Sequence, residues 1–459
     1  MKNEKYQFYK KLILSNGLMD IHELVAGSTG MFSSILLPQL QDPSSTIKID
    51  SEQASWIASV PNLMCPIGML ITGIIADKIG RRKSLQMTYI PFLLSWGLLA
   101  VAQSVNVILI TRIIAGYSLG TGVLAYMYAA ETVPPVHRPL FLGMSIMASG
   151  ISMLIASLLS ILYDWRTLAI GYFVLSVIGC VSLYLIPDPP VWLRSVGRHE
   201  EAVRAERWFG MPEGSVTAVA QVSEKLSNKA KCAVFTSRSV WIPTVHSVFM
   251  LICQQFSGIY VVFNYSVNTM RSCGVQYDAM VVTAALFGAR ILGNLAYASL
   301  YRVKRRTLFT ISGLGMFSSL ATVVCYLHVY RDVSNPPYGF VIVAAFLMYV
   351  FTSLLAITPI PWSVQSEIFP TSVKGTMSGV SHSCAYLLMF VTLKIYPAMV
   401  IHLGIQTVLS IYAGVCLITA LYGAFLFPET QGKSLDEILA HFDPKLKNNV
   451  SNIDPENTM

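Results

Sequence analysis

The sequence predicts an all-α membrane protein of twelve transmembrane helices in two pseudo-symmetric six-helix bundles. Three observations predict it. The chain of 459 residues is 54% hydrophobic and only 12% charged, about half the charge of a soluble domain, which carries roughly 25%. Apolar stretches of about 20 residues, enough to cross a bilayer, recur from one end to the other. The basic residues cluster in alternate connections between those stretches.

In chain order, spans are predicted at 12–37, 55–76, 84–103, 107–130, 140–162, 168–187, 240–270, 279–301, 308–328, 339–362, 378–401 and 404–427. Lysines before the first apolar run imitate a signal peptide. The run is too long for one, however, and contains Asp20, His22 and Glu23, so it reads as the first span. One set of connections holds Lys78, Arg81, Arg82 and Lys83, then Arg138, then Arg302, Lys304, Arg305 and Arg306, then Lys374. The other set is poor in Lys and Arg. The positive-inside rule therefore predicts that both termini and the long middle connection are cytoplasmic. Eight cysteines are scattered, mostly within spans, and read as small core residues rather than disulfides or metal ligands.

The formal charge of +8 lies at membrane edges and does not imply nucleic acid. No cofactor fingerprint, phosphate loop or nucleophile constellation is present, so no enzyme activity and no cofactor or metal is expected. The expected partners are a small-molecule solute and the lipid bilayer, with the monomer as the functional unit.

The polar stretch 194–238 divides the spans six and six, and the halves repeat. "GIIADKIGRRK" (73–83) follows the second span and "YRVKRRT" (301–307) follows the eighth. Glu131, Pro134 and Arg138 recur as Glu367, Pro370 and Lys374 at the same intervals. Each half closes on proline plus an acid, Pro187-Asp188 and Pro428-Glu429. Such duplication predicts a bundle at 1–190, a cytoplasmic linker with short helices at 191–239, a second bundle at 240–430 and a cytoplasmic tail at 431–459. A site is expected at the midplane where the bundles meet. Charges are tolerated at span ends and costly in lipid, so the acid–proline–base repeats predict a cytoplasmic latch.

Several motifs in order resemble those of the sugar porters of the major facilitator superfamily, over nearly the whole chain. They are "GIIADKIGRR", "RIIAGYSLGTG" with "YAAETVPPVHR", "PDPPVWLRSVGRHEEA", "QQFSGI", "TPIPWSVQSEIFPTSVKGT" and "PETQGKSLDEI". The subgroup most similar is the insect facilitative sugar and trehalose transporters. The resemblance implies a facilitative transporter of a hexose or a trehalose-type disaccharide, working by alternating access in the plasma membrane. Carried over residue by residue, it implies sugar contacts from Gln254, Gln255 and Trp362, and an outer-gate aromatic at Tyr265. It also implies a cytoplasmic charge network of Asp77, Arg81, Arg82, Arg112, Glu131, Arg138, Arg305, Arg306, Glu367 and Lys374.

The chemistry agrees. A glutamine offers a carbonyl and an NH2, so it pairs with hydroxyls in both directions without net charge. At 100° per residue, Gln254, Gly258, Val261 and Tyr265 share one stripe of an ideal helix. Pro359 and Pro361 predict a weakened tenth span.

The chain departs from the family at several points. Tyr260 stands where the family has asparagine, and reaches a site only if the helix unwinds near Gly258. The fifth span offers Ser145, Ser149 and Ser152 where the family has an amide. The eleventh-span asparagine falls near Ala385, before Tyr386, and the eighth-span amide near Ala289, beside Arg290. Asp20 and Glu23 in the first span are a candidate proton site. Three alternatives therefore stand beside the facilitative carrier: a proton–sugar symporter using Asp20 or Glu23, a sugar sensor, and a diverged porter of another small solute.

Overall fold

The structure is a computed structural model, and it describes residues 2–133, 137–211, 237–275, 277–300, 302–331, 333, 337–369, 373–431 and 442. All regular elements among these residues are helical. In chain order they are α1 (Lys2–Met31), α2 (Ser33–Leu40), α3 (Ser51–Ile79), α4 (Arg81–Ala100), α5 (Val105–Gly120), α6 (Val123–Thr132), α7 (Arg138–Leu159) and α8 (Trp165–Ser182). Then follow α9 (Pro190–Ser195), α10 (His199–Phe209), α11 (Arg238–Phe256), α12 (Ile259–Asn264), α13 (Ser266–Ser272) and α14 (Ala279–Ser299). The last are α15 (Arg305–Val329), α16 (Phe340–Leu355), α17 (Ile360–Ile368), α18 (Lys374–Leu403) and α19 (Ile405–Phe425).

Among the described residues, 8 helical stretches are long and apolar enough to cross a membrane. They coincide with the predicted second, fourth, sixth and eighth to twelfth spans. The other four predicted spans coincide with helices that are more polar, shorter or interrupted. Large apolar side chains stay exposed along the outside, such as Leu70 (66%) on α3, Ile178 (52%) on α8 and Ile418 (53%) on α19. In water such belts are unfavourable; in a hydrocarbon solvent they are the expected surface.

The helix ends follow two different rules. At the end away from the basic connections, local side chains cap the chain: Asp50 forms a capping box with Gln53, and Ser104, Asp164 and Asp278 accept from Val107, Thr167 and Met280 backbone N–H groups. At the basic end the caps come from far along the chain. Asp188 accepts from the backbone N–H of Arg82 (2.8 Å), at the start of α4. Glu429 accepts from the N–H groups of Arg305 (3.3 Å) and Arg306 (3.2 Å), at the start of α15. The two proline–acid pairs that end each half of the sequence thus do the same work on equivalent helices.

Helices α3 and α5 approach so closely that a side chain at Gly116 or Gly120 would meet the backbone of α3. The first and second halves of the chain meet along α3 against α18 and α7 against α14. Where the linker was expected to hold short helices, α9 and α10 pack on each other, α9 reaching the end of α3 and α10 lying against α1. There Trp192 donates to Asp77 O (3.2 Å) and Arg194 forks onto buried Glu206. Residues 212–236 and the predicted tail, apart from Gln431 and Phe442, lie outside the described residues.

Candidate functional site

Two interrupted helices build the centre of the molecule. α11 stops at Phe256, and Gly258 adopts φ +87°, the left-handed region, before α12 begins. A Cβ at Gly258 would run into the ring of Tyr412, so this turn requires glycine. Across from it, helix ends at Leu355 and resumes at Ile360, because Pro359 and Pro361 have no N–H to continue the ladder. The break frees the carbonyls of Ile357 and Thr358. Both are taken by one side chain: the Gln254 NH2 donates to Ile357 O (2.8 Å) and Thr358 O (2.7 Å). The Gln254 Oε1 accepts from Gln255 Nε2 (3.4 Å). Gln255 Oε1 and Thr358 Oγ1 remain buried without partners among the described residues. Of the paired glutamines, one closes the helix break and the other keeps an acceptor to offer.

The stripe expected on an ideal helix is not realised, because the backbone turns at Gly258 and again at Tyr265. The unwinding that Tyr260 needed is present. Its hydroxyl accepts from Trp362 Nε1 (3.3 Å). The Trp362 ring stacks on His382 (centroids 5.0 Å, 13°) and meets Tyr386 edge-on (5.6 Å). Trp362, His382 and Tyr386 each keep partial exposure, as an aromatic wall of a cavity does. Sequence reasoning missed His382. An imidazole inside an apolar span was the available signal.

The facing wall comes from the first half of the chain. Asp20 accepts from Ser145 Oγ (2.5 Å). Glu23 accepts from Tyr126 OH (3.4 Å), and His22 Nδ1 lies 3.7 Å from its other oxygen. Of the three serines expected to stand in for a family amide, two are engaged: Ser145 holds Asp20, and Ser152 is tied to Leu24 O, Ser28 and Tyr172, while Ser149 lies against Gly27 and keeps partial exposure.

Beyond the aromatic wall, away from the basic connections, the halves are sealed together. Asn268 donates to Gln41 (2.9 Å), Asn264 touches Met31 Sδ (3.4 Å), and Lys394 donates to Ser55 (2.8 Å) over the Trp56 ring. Tyr265 donates to Leu393 O (3.2 Å) and packs on Tyr396 (4.9 Å).

Among the described residues, the members of the predicted charge network have these partners. Arg81 binds Glu131 (2.8 Å) and Asp77 (3.2 Å), and Arg82 donates to Ile186 O (3.0 Å) beside Asp188. Burial pushes the Asp188 carboxyl above its ordinary range, against the pull of Arg82. Arg305 donates to Thr430 (2.9 Å), and Arg306 to Ala424 O. Arg112 does not join them. It is 2% exposed, and its guanidinium donates to Ile57 O (3.1 Å), Thr29 O (3.2 Å) and Ser33 Oγ (3.0 Å), pinning α5 to α1, α2 and α3. An arginine seven residues into a helix that starts at the opposite end lies too deep to reach the basic loops. The side chains of Arg138, Glu367 and Lys374 lie outside the described residues.

The sequence profile of the sugar (and other) transporter family matches residues 22–442. The chain is similar to the facilitated trehalose transporter Tret1 of Apis mellifera ligustica, 26% identical over 445 residues, covering 95% of this chain and 88% of that protein. It is 28% identical to the Tret1 of Polypedilum vanderplanki over 443 residues, covering 93% and 87%. Among solved structures, the major facilitator superfamily proton:xylose symporter XylE bound to 6-bromo-6-deoxy-D-glucose superimposes with TM-score 0.73 at 21% identity, covering 95% of this chain and 100% of that one. An inward open conformation of XylE from E. coli gives 0.72 at 22% identity, with 95% and 100% covered.

Proposed function

This chain belongs to the sugar (and other) transporter family, and from that premise we propose that it carries a sugar, a hexose or a trehalose-type disaccharide, across the plasma membrane. Transport is facilitative, down the solute gradient, by alternating access. In this reading twelve spans form two six-helix bundles, 1–190 and 240–430, joined by the cytoplasmic linker 191–239. Both termini, with the tail 431–459, are cytoplasmic, and the monomer in the lipid bilayer is the working unit.

The meeting of two broken helices carries the reading. It leaves the carbonyl of Gln255 and the hydroxyl of Thr358 without partners beside the partly exposed ring of Trp362. Unfilled polar atoms next to an aromatic face suit a polyol, which has hydroxyls on its rim and C–H patches on its faces. Gln255, Tyr260 and Trp362 hold the sugar in this reading. Gln254 shapes the site by holding the break, and Tyr265 closes its outer side. The charges Asp77, Arg81, Arg82, Glu131, Arg138, Arg305, Arg306, Glu367 and Lys374 act as the cytoplasmic latch. The facilitated trehalose transporters among the relatives support both the sugar and the downhill mode. Radiolabelled sugar uptake into proteoliposomes tests the proposal. Uptake of hexoses and disaccharides no greater than in protein-free vesicles refutes it.

A further inference from the structure

One cation of the central cavity has no counter-charge. Arg290 sits on α14 where that helix packs on α7, with its Nε next to Gly150. Its guanidinium lies over the Phe263 ring (5.2 Å), which covers one face of the plane and leaves the N–H fork at the edge. Two of the fork's nitrogens, Nε and Nη1, are buried without any acceptor among the described residues, yet the residue as a whole keeps partial exposure. The donors thus lie at the margin of space that solvent reaches. The ionisable groups its charge feels most are the hydroxyls of Tyr260 and Tyr126. Both are neutral at ordinary pH. Among the described residues no carboxylate is within ion-pair distance of it.

The acids of the same cavity have hydroxyl partners. Asp20 accepts from Ser145, and Glu23 accepts from Tyr126 through one oxygen while its other oxygen lies 3.7 Å from His22 Nδ1. Tyr126, which donates to Glu23, lies within electrostatic reach of Arg290 as well. A charge taken out of water without a partner is strongly unfavourable, and within a membrane protein such a residue marks a ligand or ion site. Arg290 is therefore a half-pair, and the missing half is an anion.

Resting on the reading that this chain transports sugar, we propose that its substrate is a sugar acid, whose carboxylate docks on the Arg290 fork while its hydroxyls face Gln255, Tyr260 and Trp362. A planar carboxylate matches the guanidinium edge bidentately. A phosphate dianion fits less well. It brings two negative charges to one cation and faces Asp20 and Glu23 across the cavity.

The test compares ligands that differ only at one end. D-Glucuronate, D-glucuronamide and D-glucose share the pyranose ring and differ at C6 as carboxylate, amide and hydroxymethyl. Uptake of labelled D-glucuronate and labelled D-glucose is measured in proteoliposomes of the full chain, with each compound and trehalose as competitors. The expected result is D-glucuronate preferred by about tenfold or more over the amide and over D-glucose, as a charge-assisted pair gives. In Arg290→Gln that preference should fall to within about twofold. Should Arg290→Gln not fold, as judged by gel filtration, Arg290→Lys keeps the charge and removes the fork, and should retain a reduced preference. Uptake of D-glucose or trehalose that D-glucuronate does not inhibit overturns the sugar-acid assignment and leaves sugar transport standing. Uptake of none of these compounds overturns the sugar reading itself. A full preference for D-glucuronate that survives in Arg290→Gln overturns the role of Arg290.

Discussion

Replacing Gln254 by leucine keeps the volume of the side chain and removes both donors that serve the break between α16 and α17. Ile357 O and Thr358 O then lie in a buried region with nothing to accept from; Gln254 itself is 0% exposed. An orphaned buried polar group costs about 1–3 kcal/mol, so two orphans cost about 2–6 kcal/mol. Side-chain hydrogen bonds within bilayers measure nearer 0.6 kcal/mol each, which sets a floor of about 1 kcal/mol. Gln255→Leu differs. It removes one long bond to Gln254 (3.4 Å) and an Oε1 that already lacks a partner, so its stability cost should stay below about 1 kcal/mol. If the Gln255 carbonyl receives a sugar hydroxyl, the lost bond raises KM about fivefold. The assay is a split: thermal denaturation of each purified variant in detergent, beside initial-rate KM in proteoliposomes. Gln254→Leu should melt clearly below wild type, and Gln255→Leu should melt near it with a raised KM. Wild-type melting of Gln254→Leu with a KM shift matching that of Gln255→Leu would refute the reasoning, because it would make Gln254 a ligand contact and not a brace.

Three further outcomes are expected. Gly258→Ala forces a side chain into a left-handed turn against Tyr412 and should lower both the melting temperature and the folded yield by gel filtration; an alanine variant as stable as wild type would show that the turn is not required. Glu429→Ala removes the acceptor for two N–H groups of α15 and should cost about 1 kcal/mol, the usual size of an N-cap; unchanged melting would show that water satisfies those groups. Asp164 is held below its ordinary carboxyl range by hydrogen bonds from Thr167 at the start of α8. Its stabilisation is therefore present above the unfolded pKa and lost as pH falls through the lower folded one. The melting difference between wild type and Asp164→Ala should accordingly be largest near neutrality and close below about pH 4, and a pH-independent gap would refute that origin.

What the sequence made legible follows from how far each interaction reaches. Spans and their breaks are local, so hydropathy located the helices, and Pro359 and Pro361 announced the interruption. Gly258 was legible as the one place where unwinding would turn Tyr260 inward. The partner of a polar residue is not local. Pro187-Asp188 and Pro428-Glu429 were visible as punctuation, but the N–H groups they cap lie 106 and 124 residues away. Gln254 was readable as a costly polar group that something must use. That it serves two carbonyls follows only once a tertiary break more than 100 residues later has released them. Arg112 misled for the same reason: a basic residue near loop motifs reads as a loop charge, whereas its acceptors are carbonyls of α1 and α3 that only folding brings together.

The same reasoning links the site to the seal. Tyr260 and Asn264 stand four residues apart on α12, a short helix with non-helical turns at both ends, Gly258 and Tyr265. Tyr260 meets Trp362, within the second half of the chain, while Asn264 meets Met31 and the adjoining α13 reaches Gln41 through Asn268, both in the first half. One full helical turn joins Tyr260 to Asn264, and Asn264 Nδ2 is itself tied back to Tyr260 O (3.0 Å), so the segment moves as a unit. Whatever shifts Tyr260 against Trp362 therefore also shifts the contacts that hold the halves together. Backbone freedom for such a shift lies in the turns at Gly258 and Tyr265, outside the packing of α11 on α18 and α19.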